Sequence, residues 1–220
     1  MKYSPDNQQN KAIILPKFDP QPSGELSEKI LKETNVKGVL IGRLAVWAWV
    51  EDAAKHGFTK DIDIAITQQD QKNLVSYLVD RGFKVRELSI GGFNISDDQI
   101  QIDFIHRNSK EWGDLSSLFE EAIEQSTDIK VAIGHAELLL IPVEYLIAMK
   151  IGTTETKDEN DARLLIESVD SVKIKELRKI VHAHLGPMGK SKLENLLREV
   201  GHADAISRKI YGDNNELSYP

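Results

Sequence analysis

Residues 61–66 read DIDIAI, a strict alternation of polar or small residues with isoleucine, and a period of two is the mark of a β-strand with unlike faces. Side chains two apart in a strand share a face, so Ile62, Ile64 and Ile66 enter the core while Asp61 and Asp63 stand side by side on the other surface. The flanking segments keep the rhythm. Residues 36–41 are a short β-branched and aliphatic run stopped by Gly42, which reads as a buried strand ending in a tight turn. Residues 44–55 have helical composition with Gly57 as a stop, and 69–81 carry helical spacing through Leu74, Tyr77 and Leu78 up to Gly82. Upstream, Ser23 is expected to cap a helix over 25–33 with Leu26, Ile30 and Leu31 on one side.

The pattern continues with two strands, 83–90 and 94–105, around Gly91-Gly92, the second alternating through Ile100, Ile102 and Phe104. A helix over 112–125 follows, then short apolar runs at 129–133 and 138–141 joined by Gly134. From Pro142, well suited to a first helical turn, the chain is helical, with Leu193, Leu196, Leu197 and Val200 as a packing stripe. The expected fold is α/β: a mixed β-sheet with helices packed on it and an appended C-terminal helical bundle. The expected divisions are a tail over 1–22, an α/β core over 23–141 and a helical region over 142–220, the last two sharing one core.

Composition narrows the function classes. Of 220 residues, 40% are hydrophobic and 29% charged, a globular balance. There is no cysteine, which excludes disulfides and thiolate metal sites and leaves oxygen or imidazole as ligands. The start, MKYSPDNQQN, has no apolar signal core. The longest apolar stretches, 39–50 and 138–149, are broken by Arg43 and Glu144 and fall short of the roughly 20 residues of a membrane span. A cytoplasmic protein without a membrane partner is expected. The net charge of −7 gives no general attraction to nucleic acid. Locally, seven Lys or Arg over 173–198, with His182 and His184 nearby, form either a surface that steers RNA or an ordinary amphipathic helix face.

The acids carry the chemistry. Asp61 and Asp63 present paired carboxylates, and Asp103, between Ile102 and Phe104 in QIDFIH, occupies the same kind of position in a later strand. If the strands are neighbours, the three form a triad for a hard divalent cation such as Mg²⁺, which takes oxygen ligands and retains substrate phosphate in its shell. Otherwise they are three solvated aspartates at strand ends. Gly42-Arg43, between a strand and a helix, offers backbone N–H groups and a positive helix end to a phosphate.

On these residues the sequence resembles the nucleotidyltransferase superfamily, with its DNA polymerase β-like fold. VLIGRLAVWAW followed by FTKDIDIAI is similar to its AbiEii-type and other small bacterial members, some of which are toxins of toxin–antitoxin pairs. PVEYLIAMKIG and TKDENDARLL resemble that family's helical segment, at Lys150, Lys157, Asp158 and Asp161. The resemblance spans roughly 36–166. It implies an NTP substrate and a two-metal site of Mg²⁺ or Mn²⁺ on Asp61, Asp63 and Asp103. Nucleotide contacts are implied at Gly42, Arg43, Lys150, Asp158 and Asp161. A hydroxyl acceptor on RNA such as tRNA, on protein or on a small molecule such as an antibiotic follows, as does an antitoxin partner. Arg43 departs from the family's second glycine or serine: it either pairs with the phosphates itself or marks a catalytically silent nucleotide- or partner-binding module. His106 is read as structural.

Overall fold

The computed structural model describes residues 11–12, 19–50, 59, 61–111 and 113–201. In chain order they form β1 (Lys11–Ala12), α1 (Gln21–Thr34), β2 (Val39–Ile41), α2 (Gly42–Trp49), β3 (Ile62–Ala65), α3 (Gln71–Asp80), β4 (Val85–Glu87) and β5 (Gly92–Ser96). There follow β6 (Gln101–Ile105), α4 (Ser116–Gln125), β7 (Lys130–Ile133), β8 (Ala136–Leu140), α5 (Val143–Ile151), α6 (Thr156–Ser168) and α7 (Ile174–Glu199). The described strands make one eight-stranded sheet in the order β1-β7-β8-β2-β3-β6-β5-β4. It is mixed, as expected: β3 runs parallel to β6 and β2 to β8, while β2–β3, β5–β6, β4–β5 and β7–β8 are antiparallel.

The alternation in DIDIAI does what the spacing requires. Ile62, Ile64 and Ile66 are fully buried, each contributing about 1.5–3 kcal/mol. A one-residue slip of β3 would exchange those isoleucines for aspartates, so the register is tightly specified. Phe93 and Phe104, on paired strands, stack beneath the sheet with centroids 5.0 Å apart. Helix α1 packs on β8 and against α3, whereas α2 lies on β2 and β3 and meets α5 and α6. Helix α5 packs between α6 and α7, and Trp49 Nε1 donates to the Ile141 carbonyl at 2.9 Å, joining α2 to the entry of α5.

Four local readings change. Helix α1 starts at Gln21, because Pro22 fits its first turn and Asp19 accepts the Gln21 N–H at 2.9 Å. Ser23 is therefore no cap; it is buried, and its Oγ accepts the Gln101 N–H at 3.0 Å. Within the expected tail, β1 pairs in parallel with β7. The expected strand over 94–105 is a hairpin of β5 and β6, because the Asp97 side chain accepts the N–H groups of Gln99 and Ile100 and turns the chain. Helix α4 begins at Ser116, where the Asp114 carboxylate accepts the first N–H at 2.8 Å. The expected end of the second helix, with Gly57, lies outside the described residues.

The last helix bends at Gly186 (φ 62°, ψ −160°) ahead of Pro187, giving arms over 174–185 and 187–199. Arg178 and Glu194 clasp them through bonds of 2.7 and 2.9 Å. Leu193, Leu196 and Leu197 are buried and Val200 packs against them, as the stripe predicts.

Candidate active site

Strand pairing sets the acids in one row. Ile41 lies opposite Asp63, Asp63 opposite Asp103, Asp103 opposite Asn94, and Asn94 opposite Arg86, across five adjacent strands. One carboxylate oxygen from each of Asp61, Asp63 and Asp103 lies within 4.8 Å of the others. Thr59 Oγ1 donates to Asp61. Asn94, itself buried, donates to Asp103 and to the Ile102 carbonyl, and Arg86 donates to the Asn94 side-chain oxygen at 3.5 Å.

Crowding perturbs these carboxyls. Burial first, then the charges of Asp61 and Asp103, push Asp63 up to about 7 against the pull of Lys150 and Lys157. Burial raises Asp103, opposed by its Asn94 bond, reinforced by Asp61 and opposed again by Arg86. Like charges held this close are relieved by a proton or a cation. The donors are carboxylate oxygens alone, the set that suits a hard divalent ion.

Gly42 makes the approach possible. Its φ is +68°, and a Cβ there would lie 1.8 Å from Asp63 Oδ2. The first turn of α2 has no side-chain cap and no acid, so its N–H groups remain available to an anion.

Behind the acids lies a buried ion network. Arg43 Nη1 is 2.7 Å from Asp161 Oδ1, and Lys150 Nζ is 2.5 Å from Asp158 Oδ1 and 3.0 Å from Asp161 Oδ2. Asp158 and Asp161 are only 6% and 1% exposed, so neither is a solvated helix-surface charge. Lys150 is likewise no snorkelling surface lysine, its side chain being 11% exposed. Arg43 directs its charge to Asp161. Lys157 stays outside the network, paired with Glu155 at 2.9 Å on the surface.

His106 is held locally: Gln71 accepts from Nε2 at 2.6 Å, and Nδ1 accepts the Asn108 N–H at 3.1 Å. Several residues of the basic stretch are engaged within the fold. Arg178 clasps Glu194, Lys192 donates to the carbonyls of Ile151 and Thr153, and His184 bridges Ser117 and Glu121.

Sequence reasoning missed Thr59 and Asn94. Thr59 carried a signal, since it stands two residues before Asp61 and shares its face in an extended chain. Asn94 carried none, because its place opposite Asp103 depends on the hairpin turn at Asp97.

No protein-family model matches the chain, and no curated protein sequence does. Solved structures do match. A nucleotidyltransferase-like antigenic protein from Paracoccidioides brasiliensis aligns over 82% of this chain and 88% of its own, at 14% identity and a TM-score of 0.51. The antibiotic-resistance factor ANT(2'')-Ia aligns over 84% of this chain and 99% of its own, at 17% identity and a TM-score of 0.48. The lincosamide antibiotic adenylyltransferase LnuA aligns over 70% of this chain and 99% of its own, at 12% identity and a TM-score of 0.44. The chain shares its fold with the nucleotidyltransferase-like protein, in line with the fold that the sequence resemblance implied.

Proposed function

We propose that the protein is a metal-dependent nucleotidyltransferase that moves a nucleoside monophosphate from an NTP to a hydroxyl acceptor. The observation that carries this reading is the convergence of Asp61, Asp63 and Asp103 within 4.8 Å, beside a glycine whose missing side chain lets Asp63 approach the start of α2. Asp61, Asp63 and Asp103 would hold Mg²⁺ or Mn²⁺, which when bound neutralises charge on the phosphate oxygens of an in-line displacement at the α-phosphate, with pyrophosphate leaving.

The chain's own groups do the rest. Asp103, raised by burial and steadied by Asn94, accepts the proton of the attacking hydroxyl. Gly42 and the uncapped first turn of α2 bind phosphate oxygens through backbone N–H groups. Lys150 presents its ammonium to the site, held in place by Asp158 and Asp161. Arg43 braces α2 against α6 through Asp161. That role supports a competent site over a silent module, since this arginine is engaged away from the position a small residue would leave to the triphosphate.

The acceptor is a hydroxyl on RNA such as tRNA, on protein or on a small molecule. A cytoplasmic toxin-like enzyme with an antitoxin partner is the form that the resemblance to AbiEii-type proteins suggests. Incubation with Mg²⁺ and each α-labelled NTP, with and without total RNA, tests the reading. Label is expected on an acceptor, and Asp61→Asn or Asp63→Asn should abolish it while the fold persists. Undiminished transfer in both variants would sink the assignment.

A further inference from the structure

The row of paired residues that holds the acids has two flanks. Next to Asp63 on β3 stands Ile41 on β2, followed by Gly42 and α2; next to Asp103 on β6 stand Asn94 on β5 and, beyond it, Arg86 on β4. Neighbouring strands lie about 4.8 Å apart, which roots Arg86 roughly 10 Å from Asp103 on the flank away from Gly42. An in-line displacement sets the entering and leaving oxygens on opposite sides of the phosphorus. With the NTP phosphates over Gly42 and the start of α2, pyrophosphate leaves on the β2 flank, and the acceptor hydroxyl enters from the flank of β5 and β4, past Asp103.

Arg86 turns its side chain to that entry. Val85 and Glu87 line the groove beside α3, with Lys72, Val75 and Val79, so the alternation of β4 points Arg86 to the other face, that of the acids. Its Nη2 reaches Asn94 Oδ1 through a long bond of 3.5 Å, and Asn94 in turn donates to Asp103. The residue is exposed, and among the described residues its guanidinium makes no other hydrogen bond and no ion pair.

The charges nearby leave it free. Asp103 accepts from Asn94, and Asp61, Asp63 and Asp103 together form the seat proposed for the metal. Arg43 and Lys150 pair with Asp158 and Asp161. On the flank of β5 and β4, Asp97 accepts the N–H groups of Gln99 and Ile100, Glu87 lies on the other face, and Asp98 stands at the hairpin turn. Lys84, exposed two residues before Arg86, adds a second positive charge to this flank.

We propose that Arg86 binds a backbone phosphate of an RNA acceptor whose terminal hydroxyl enters beside Asp103, an assignment that rests on the nucleotidyltransferase reading and names the acceptor class. The hydroxyl oxygen bonds to the α-phosphorus, its proton passes to Asp103, the bond from that phosphorus to the β-phosphate oxygen breaks, and pyrophosphate leaves. An RNA end carries a hydroxyl and a phosphate close together, so one strand end meets both Asp103 and Arg86. A guanidinium fork matches phosphate oxygens, and its charge repels a polycationic acceptor.

The test measures binding of a single-stranded RNA oligomer by fluorescence anisotropy across a range of salt. Beside it runs transfer from α-labelled NTP with Mg²⁺ to the same oligomer, to protein and to a cationic aminoglycoside. Arg86→Gln should raise Kd and KM for RNA about tenfold and lower the slope of log Kd against log salt by roughly 0.7, one phosphate contact on a single strand. KM for the NTP and the melting temperature should hold, and Arg86→Lys should recover most of the salt slope and part of the affinity. Unchanged RNA affinity and slope in Arg86→Gln, with RNA labelled by the wild type, overturns this inference alone. Label on protein or aminoglycoside with none on RNA overturns it too. So does an equal fall in kcat for every acceptor with a shifted pH–rate profile, which would make Arg86 a brace for Asn94 and Asp103. If the wild type labels no acceptor from any NTP, the inference and the proposed function fall together.

Discussion

Asp63→Asn should make the metal-free protein more stable at pH 8. Burial, Asp61 and Asp103 push the Asp63 carboxyl from its ordinary 3.8 up to about 7. A carboxyl whose folded-state value lies above its unfolded one favours folding when protonated. That contribution is complete below about pH 4 and is lost as the pH climbs through about 7. At pH 8 the folded chain therefore carries a destabilising charge, worth at most about 4 kcal/mol from the gap between the two values. Asparagine keeps the shape without the charge. In EDTA at pH 8 the variant should melt higher, by up to about 10 °C for a chain of this length, and the advantage should fade towards pH 4. Thermal melts at several pH values with EDTA would measure it. A variant less stable than the wild type at pH 8 would overturn this expectation, for it would mean that the charge on Asp63 is stabilised without a divalent cation.

Three further outcomes follow from the same geometry. Mg²⁺ or Mn²⁺ should raise the melting temperature of the wild type, and Asp61→Asn and Asp103→Asn should abolish the rise, as melts with and without EDTA would record. Gly42→Ala should lose most nucleotidyl transfer and about 2 kcal/mol or more of stability, since its Cβ would strike the Asp63 carboxylate at 1.8 Å and its φ is +68°; transfer assays and urea unfolding would check both. Asn94→Ala should lower kcat about 10–100-fold and move the acid limb of the pH–rate profile upward, because Asp103 loses the bond that holds its pKa down.

The strands that carry the acids were legible because their pattern is local. DIDIAI and QIDFI alternate so strictly that the face of Asp61, Asp63 and Asp103 follows from the period of two. That the strands are neighbours is a long-range fact: β3 and β6 pair in parallel although α3, β4 and β5 lie between them. The hairpin at Asp97 was hidden because the apolar alternation resumes at Ile100 and the turn depends on one side chain. Ser23 read as a cap because capping residues and buried hydroxyls look alike in sequence; Pro22 and Asp19 decide between them. The Arg43–Asp161 pair could not be read at all, since it joins residues far apart in the chain across the contact of α2 with α6.

Whether the three aspartates hold metal and nucleotide is tested most directly by a crystal structure with Mn²⁺ and a non-hydrolysable NTP analogue. Anomalous density is expected within coordinating distance of Asp61, Asp63 and Asp103, with the phosphates over Gly42 and the first turn of α2. Nucleotide and metal bound elsewhere, with the three carboxylates left to water, would contradict it.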